Sequence, residues 1–169
     1  FVTLSGSGEP TLHTGFGEML MFIKRELPFP SALLSNGSLF WLAEVREAAL
    51  PAAIVKLSLN AWDQESFQKI NRPHPDLDFA RYVEGLREFR DQFGGKLWLE
   101  VFLVDGVNAS PEGVQKIARV AETISPDAIH LNTAVRPPAE PSVQPLSREQ
   151  MEAYVDFFLP RAEIIAEFP

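Results

Sequence analysis

Leu97-Trp98-Leu99-Glu100-Val101-Phe102-Leu103-Val104 is the most apolar stretch of the chain, and one carboxylate stands inside it. It lies between Gly94-Gly95 and the loop Asp105-Gly106-Val107-Asn108 and reads as a strand. A strand turns alternate side chains to opposite faces. Leu97, Leu99, Val101 and Leu103 therefore share one face, and Glu100 stands on the other. The same parity recurs elsewhere in the chain. Val2 and Leu4, Val55, Leu57 and Leu59, and Ile129 and Leu131 fall on the apolar side. Thr3 and Ser5, Lys56, Ser58 and Asn60, and His130 and Asn132 fall on the other. In a doubly wound sheet helices cover both faces, and both are apolar. A closed barrel is filled with Val, Ile and Leu. A polar concave face fits an open, partial barrel with a ligand-filled lumen, and the cavity is then the functional site.

Outward from this strand, strands alternate with helices, which implies parallel βαβ units and an α/β fold. Strands are expected at 1–5, 31–35, 53–59, 97–104 and 127–132. Helices are expected at about 15–26, 41–50, 63–70, 78–93, 110–124 and 147–159. Thr14, Asp63, Asp78 and Ser110 stand where helix caps are needed. The first helix carries Phe16, Met19, Leu20 and Ile23 at helical spacing. Ser147-Arg148-Glu149-Gln150 reads as a capping box, with Leu146 and Met151 as its hydrophobic staple. Arg136 to Pro145 is a proline-rich connector, and Arg161 to Phe168 reads as a last short strand or a helix turn. Residues 1–169 are expected to form one domain.

Composition excludes several classes. Hydrophobic residues make up 46% of the 169 and charged residues 22%, a balance that supports a sizeable core. A net charge of −8 argues against a general nucleic-acid or anionic-membrane surface. No apolar run approaches the roughly 20 residues of a membrane helix, so a cytoplasmic protein is expected. The first residue is Phe, so the chain reads as a piece of something longer and the lack of a targeting signal carries no weight. With no cysteine, these residues cannot supply disulfides, thiol catalysis or a thiolate metal site. His13, His74 and His130 are scattered and show no metal-ligand spacing, so no metal ligand is assigned. There is no Walker loop, no GxSxG elbow and no HExxH helix.

The loops after the strands hold Ser7, Gly8 and Glu9, then Asn36, Gly37 and Ser38, then Asn60, then Asn108, then Asn132 and Arg136. Far apart in sequence, they meet at one rim in a barrel. Gly6 and Gly8 let backbone approach a bound group. Glu9 can accept hydrogen bonds from an ammonium group, or serve a helix N-terminus. Ser58 and Asn60 offer a hydroxyl and an amide suited to a ribose or a carboxylate. Glu100, mid-strand, requires a cation, either Lys56 or a ligand. Arg72 can clamp an anion or serve the surface. Asn36-Gly37 and Asn108 also read as plain turn residues.

The segment Ser5-Gly6-Ser7-Gly8-Glu9-Pro10-Thr11-Leu12 resembles the "GGE" segment of radical S-adenosylmethionine enzymes, which binds the methionyl amino group. Leu34-Ser35-Asn36-Gly37-Ser38, Ser58-Leu59-Asn60, Ile70-Asn71-Arg72-Pro73-His74, Gly106-Val107-Asn108 and the run Leu131 to Glu140 resemble one branch, the iron–sulfur oxidoreductases similar to wybutosine-synthesis enzymes. The resemblance runs from Phe1 to about Leu146. It implies a partial (β/α)6 barrel of parallel strands missing its first βα unit. It implies an S-adenosylmethionine site in which Ser7, Gly8 and Glu9 hold the amino group. Ser58 and Asn60 then lie near the ribose or carboxylate, Asn132 near the adenosine end, and Asn36 on the same rim. Arg72, Glu100, Asn108 and Arg136 are left for substrate, and no catalytic residue is assigned.

Two departures stand out. Many relatives have Asp at the position of Asn60. The family also holds a 4Fe–4S cluster through C-x-x-x-C-x-x-C after its first strand, and this chain has no cysteine. The cluster is therefore expected in a full-length parent that reductively cleaves S-adenosylmethionine, not on this chain, which alone should be catalytically silent. The alternatives are a cluster-free S-adenosylmethionine or nucleotide-binding module, and an unrelated barrel enzyme acting on a small phosphorylated or carbonyl substrate. The partner expected is a small molecule, with self-association through an open edge at Phe1 to Ser5.

Overall fold

The computed structural model describes residues 1–135 and 143–168. Its sheet has six parallel strands in sequential order: β1 (Val2–Leu4), β2 (Ser31–Ser35), β3 (Ile54–Ser58), β4 (Lys96–Leu103), β5 (Ala128–Thr133) and β6 (Glu163–Ile164). Among the described residues β1 pairs only with β2 and β6 only with β5, so the sheet is open. Between the strands run α1 (Phe16–Glu26), α2 (Ala43–Ala49), α3 (Gln64–Asn71), α4 (Phe79–Gln92), α5 (Pro111–Ile124) and α6 (Arg148–Glu152). The fold is an α/β partial barrel, as the strand parity requires. The residue pair Glu163–Ile164 settles the C-terminal segment as a strand.

Register explains the two faces. Leu4, Leu33, Val55 and Leu97 align across the sheet, as do Leu57, Leu99 and Ile129, and Val101, Leu131 and Ile164. These rows pack under Phe16 and Leu20 of α1, Tyr82, Leu86 and Phe89 of α4, and Val114 and Ile117 of α5 in one core. The opposite rows are Leu34, Lys56, Trp98 and Ala128, then Ser58, Glu100, His130 and Glu163, then Phe102 and Asn132. β2 inverts the polarity. Ser31 and Ser35 are buried in the helix-side rows, while Ala32 and Leu34 take the concave side. Ser35 is tolerated there because its hydroxyl both donates and accepts.

The caps fall largely where the sequence places them. Asp63 and Ser147 form capping boxes with Ser66 and Gln150, and Asp78 and Ser110 accept from Arg81 and Gly113. Three expectations are corrected. Thr14 does not cap α1. The N-cap is Gly15, and the Nδ1 of His13 accepts from the Gly15 N–H at 3.0 Å instead. Met19, set at helical spacing with Phe16, Leu20 and Ile23, is exposed while those three are buried. The last helix stops at Glu152 rather than 159. Tyr154 donates to the Ala109 carbonyl, Val155 and Phe158 are buried, and the Ala162 N–H bonds Val155. These ties turn the chain back toward β5, where β6 must lie.

The β1 edge is unpaired among the described residues, and Phe1 just before it is 68% exposed. Val2 donates to the Pro30 carbonyl at 2.9 Å, so by strand alternation the Thr3 N–H points away from β2. The chain is expected to self-associate through this edge. Sedimentation should show a concentration-dependent dimer, and Thr3→Pro, which removes only the outward N–H, should shift it to monomer. A wild-type chain that stays monomeric at high concentration contradicts the expectation.

Candidate functional site

The C-terminal ends of the strands surround a trough on the concave face, the position at which parallel α/β folds bind ligands. Its narrow half encloses about 440 Å³ and its wide half about 980 Å³, and Lys56 and Glu100 line both. A groove of about 740 Å³ also lies outside the barrel among Trp41, Phe79, Arg87 and Arg119, remote from the strand ends.

The narrow half is built around Glu9. Its Oε1 accepts from the Thr11 N–H (3.0 Å), the Thr11 hydroxyl (2.7 Å) and the Ser35 hydroxyl (2.7 Å). Its Oε2 accepts from the Asn36 N–H at 2.7 Å. The carboxylate thus caps the 3-10 turn Pro10–Leu12 and fastens the β1 loop to the end of β2. The helix N-terminus reading of Glu9 is met by this turn, and Oε2, with one protein donor, keeps acceptor capacity. Ser7, Gly8, Asn36 and Ser58 line the same space. A Cβ on Gly8 would meet nothing within 4 Å, and the Ser58 hydroxyl has no partner among the described residues. Asn36 spends its side-chain oxygen on the Ser38 N–H (2.8 Å), the turn role foreseen for it.

Behind this rim stands Tyr82. Its buried hydroxyl donates toward the Asn36 and Ser58 carbonyls, tying the ends of β2 and β3 to α4. Burial, with the charge of Glu9 adding to it, pushes the phenol well above its ordinary value. Gly37, at φ +78°, passes so close that a Cβ would sit 3.1 Å from the ring.

At the centre, Glu100 pairs with Lys56 and accepts from the Asn132 side-chain amide at 3.3 Å. The expected cation is therefore Lys56. His130 sits beside Glu100 in the same row, edge-on to Trp98 at 5.0 Å. Burial, then the Lys56 charge, push its imidazole down, against the opposing carboxylates of Glu163 and Glu100.

In the wide half, Asn60 does two jobs. Its Oδ1 accepts from the Phe102 N–H at 2.8 Å, extending the β3–β4 ladder, and the residue also lines the cavity. Asn108 is buried. Its Oδ1 takes the Val104 N–H, and its amide donates to the Phe102 and Asn60 carbonyls at 2.9 and 3.0 Å. It therefore builds the rim and has no face toward the trough. Arg72, in the left-handed conformation at the end of α3, lines the wide cavity with Lys69 and Asn132. Arg136 lies outside the described residues. Sequence reasoning passed over Ser35, Tyr82 and Lys69. The signal for Ser35 was available, because a serine on the apolar parity of a buried strand needs a partner.

No protein-family model matches the chain. It is 36% identical over 169 residues to the GTPase Obg of Brachyspira hyodysenteriae, matching 100% of this chain and 25% of that protein. It is 31% identical over 145 residues to the UPF0026 protein MJ1312 of Methanocaldococcus jannaschii, matching 86% of this chain and 45% of that protein. The chain thus spans less than half the length of these relatives. Its fold is shared with a radical SAM methyltransferase from Sphaerobacter thermophilus, at a TM-score of 0.78 and 18% identity over 99% of this chain and 51% of that one.

Two predictions follow from the geometry. Asn108→Ala strands one buried N–H and two carbonyls and should cost roughly 2–4 kcal/mol in urea unfolding. His130 is held below its unfolded value, so the unfolded chain binds more protons in that window. Stability should therefore fall as pH drops below about 6.5. His130→Gln should flatten that part of the profile, and an unchanged slope places the titration elsewhere.

Proposed function

We propose that residues 1–169 are one partial-barrel domain of a radical S-adenosylmethionine iron–sulfur oxidoreductase, acting in the cytoplasm and of the branch similar to wybutosine-synthesis enzymes. The domain binds and orients S-adenosylmethionine in the trough. The observation that carries this reading is Glu9. Its carboxylate is fixed in place by Thr11, Ser35 and Asn36, at the edge of a cavity where Gly8 leaves open space. A pre-oriented carboxylate suits the cofactor's ammonium group. The Ser58 hydroxyl and the Asn60 amide suit ribose oxygens, and Asn132 stands beyond them. Arg72 and Glu100 remain for substrate.

The iron–sulfur cluster does not fit these residues. Its ligands are thiolates, and none of the 169 residues is cysteine. No bond-breaking step is assigned to this chain, and reductive cleavage belongs to the proposed full-length parent. The absence of cysteine is also what favours a second reading, a cluster-free binding module with the same site. A GTPase reading is not carried over, because no G-x-x-x-x-G-K-Ser/Thr loop occurs here.

Calorimetric titration with S-adenosylmethionine tests the site. Wild type should bind, and Gly8→Val, whose Cβ would meet nothing within 4 Å at a residue lining the cavity, should bind at least about tenfold more weakly at an unchanged melting temperature. Glu9→Gln should lose both affinity and stability, because the carboxylate also ties two loops. Equal binding by wild type and Gly8→Val overturns the site. If neither binds, an upstream-extended, iron-reconstituted protein that also fails overturns the reading.

A further inference from the structure

Glu100 stands directly across from Ser58 in the β3–β4 register, and Lys56 lies one row deeper on the same face. Lys56, Ser58 and Glu100 line the narrow half together, and the two ions reach the wide half as well. Lys56 and Glu100 are each other's ion-pair partners, and Asn132 offers the carboxylate only an amide contact at 3.3 Å. The next acid on that row is Glu163 on β6, with His130 between it and Glu100. Two strand spacings, about 10 Å, separate it from Glu100. The molecule proposed for the narrow half carries a sulfonium cation, set between its amino-acid part and a single methylene from its ribose ring. With the ammonium at Glu9 and the ribose at Ser58, the sulfonium comes beside Glu100. A lone carboxylate there would select for the positive charge. A carboxylate already paired with a lysine does not, because the attraction of one ion and the repulsion of the other largely cancel at the ligand. Specificity is a difference between two affinities, and this pair removes the charge from that difference.

We propose that Lys56 is a specificity-determining residue: as the built-in counter-ion of Glu100 it makes the trough indifferent to the sulfonium charge. S-adenosylmethionine and S-adenosylhomocysteine, its uncharged thioether, then bind alike and compete on equal terms. Recognition falls to the groups the two molecules share, the ammonium at Glu9 and the ribose at Ser58. The inference rests on the reading of the narrow half as the cofactor site. It adds which part of that molecule the site reads and which part it ignores.

The test titrates each protein calorimetrically with both molecules, above neutral pH so that a lone carboxylate stays ionised, and reads the ratio of the two affinities. Wild type should bind them within about threefold of each other. Lys56→Met, which leaves Glu100 unpaired, should favour the sulfonium by at least about tenfold. Glu100→Gln, which leaves Lys56 unpaired, should favour the thioether by a similar factor. The double variant and Lys56→Arg should both return the ratio to that of wild type, which a merely structural role for Lys56 would not produce. Melting temperatures identify a variant that fails to fold, and because the two single variants shift the ratio in opposite directions, either one decides. A wild-type preference of tenfold or more for S-adenosylmethionine overturns the proposal, as does one unchanged ratio across the variants. Those outcomes leave the cofactor site standing. Binding of neither molecule by folded wild type removes the cofactor reading on this chain, and this inference with it.

Discussion

A parallel sheet covered by helices on one side leaves a second face whose polar groups must find partners elsewhere, and this constraint shapes the molecule. The helix side is a continuous apolar core from Phe16 to Phe158. The concave side carries Lys56, Ser58, Glu100, His130 and Asn132 on neighbouring strands. Each charge there loses solvation and must be compensated. The Lys56–Glu100 pair does this at the centre, with the Asn132 amide on the second carboxylate oxygen. The neutralised centre divides the trough into two ends of different chemistry, one fastened by Glu9 and one walled by Phe102.

The described part of the rim is tied through backbone bonds rather than packing. Asn60 and Asn108 continue the β3–β4 ladder past the last paired residues, and Thr133 binds the Leu103 carbonyl and the Leu146 N–H. Tyr82 reaches through the core to hold two strand ends from behind. The loops that line the trough are thus held by the same helices that bury the sheet. A binding site on such supports needs little ordering when its ligand arrives.

The fold was legible because its signal has a period of two and recurs in four strands: one charged residue in Leu97 to Val104 was enough to orient a whole face. β2 was not legible in that way. Its serines sit on the buried side, and only the long-range bond from Ser35 to Glu9 explains them. Local patterning also misplaced the end of the last helix. Its sequence reads helical to 159, but the tertiary pull of Tyr154 and the pairing of β6 override propensity. At the site, the polar rim residues were found from their position after strands. Whether an asparagine lines the cavity or is spent wholly on backbone was not, since Asn60 and Asn108 look alike in sequence and differ only in what surrounds them.

The strand order has a kinetic meaning. Every strand pairs with the next one in the chain, and no connection crosses another on its way to a distant partner. Each βα unit can therefore settle on its predecessor by closing a single helical crossover. The two-residue strand β6 makes few pairings, so it must be held by side chains around it rather than by its own ladder.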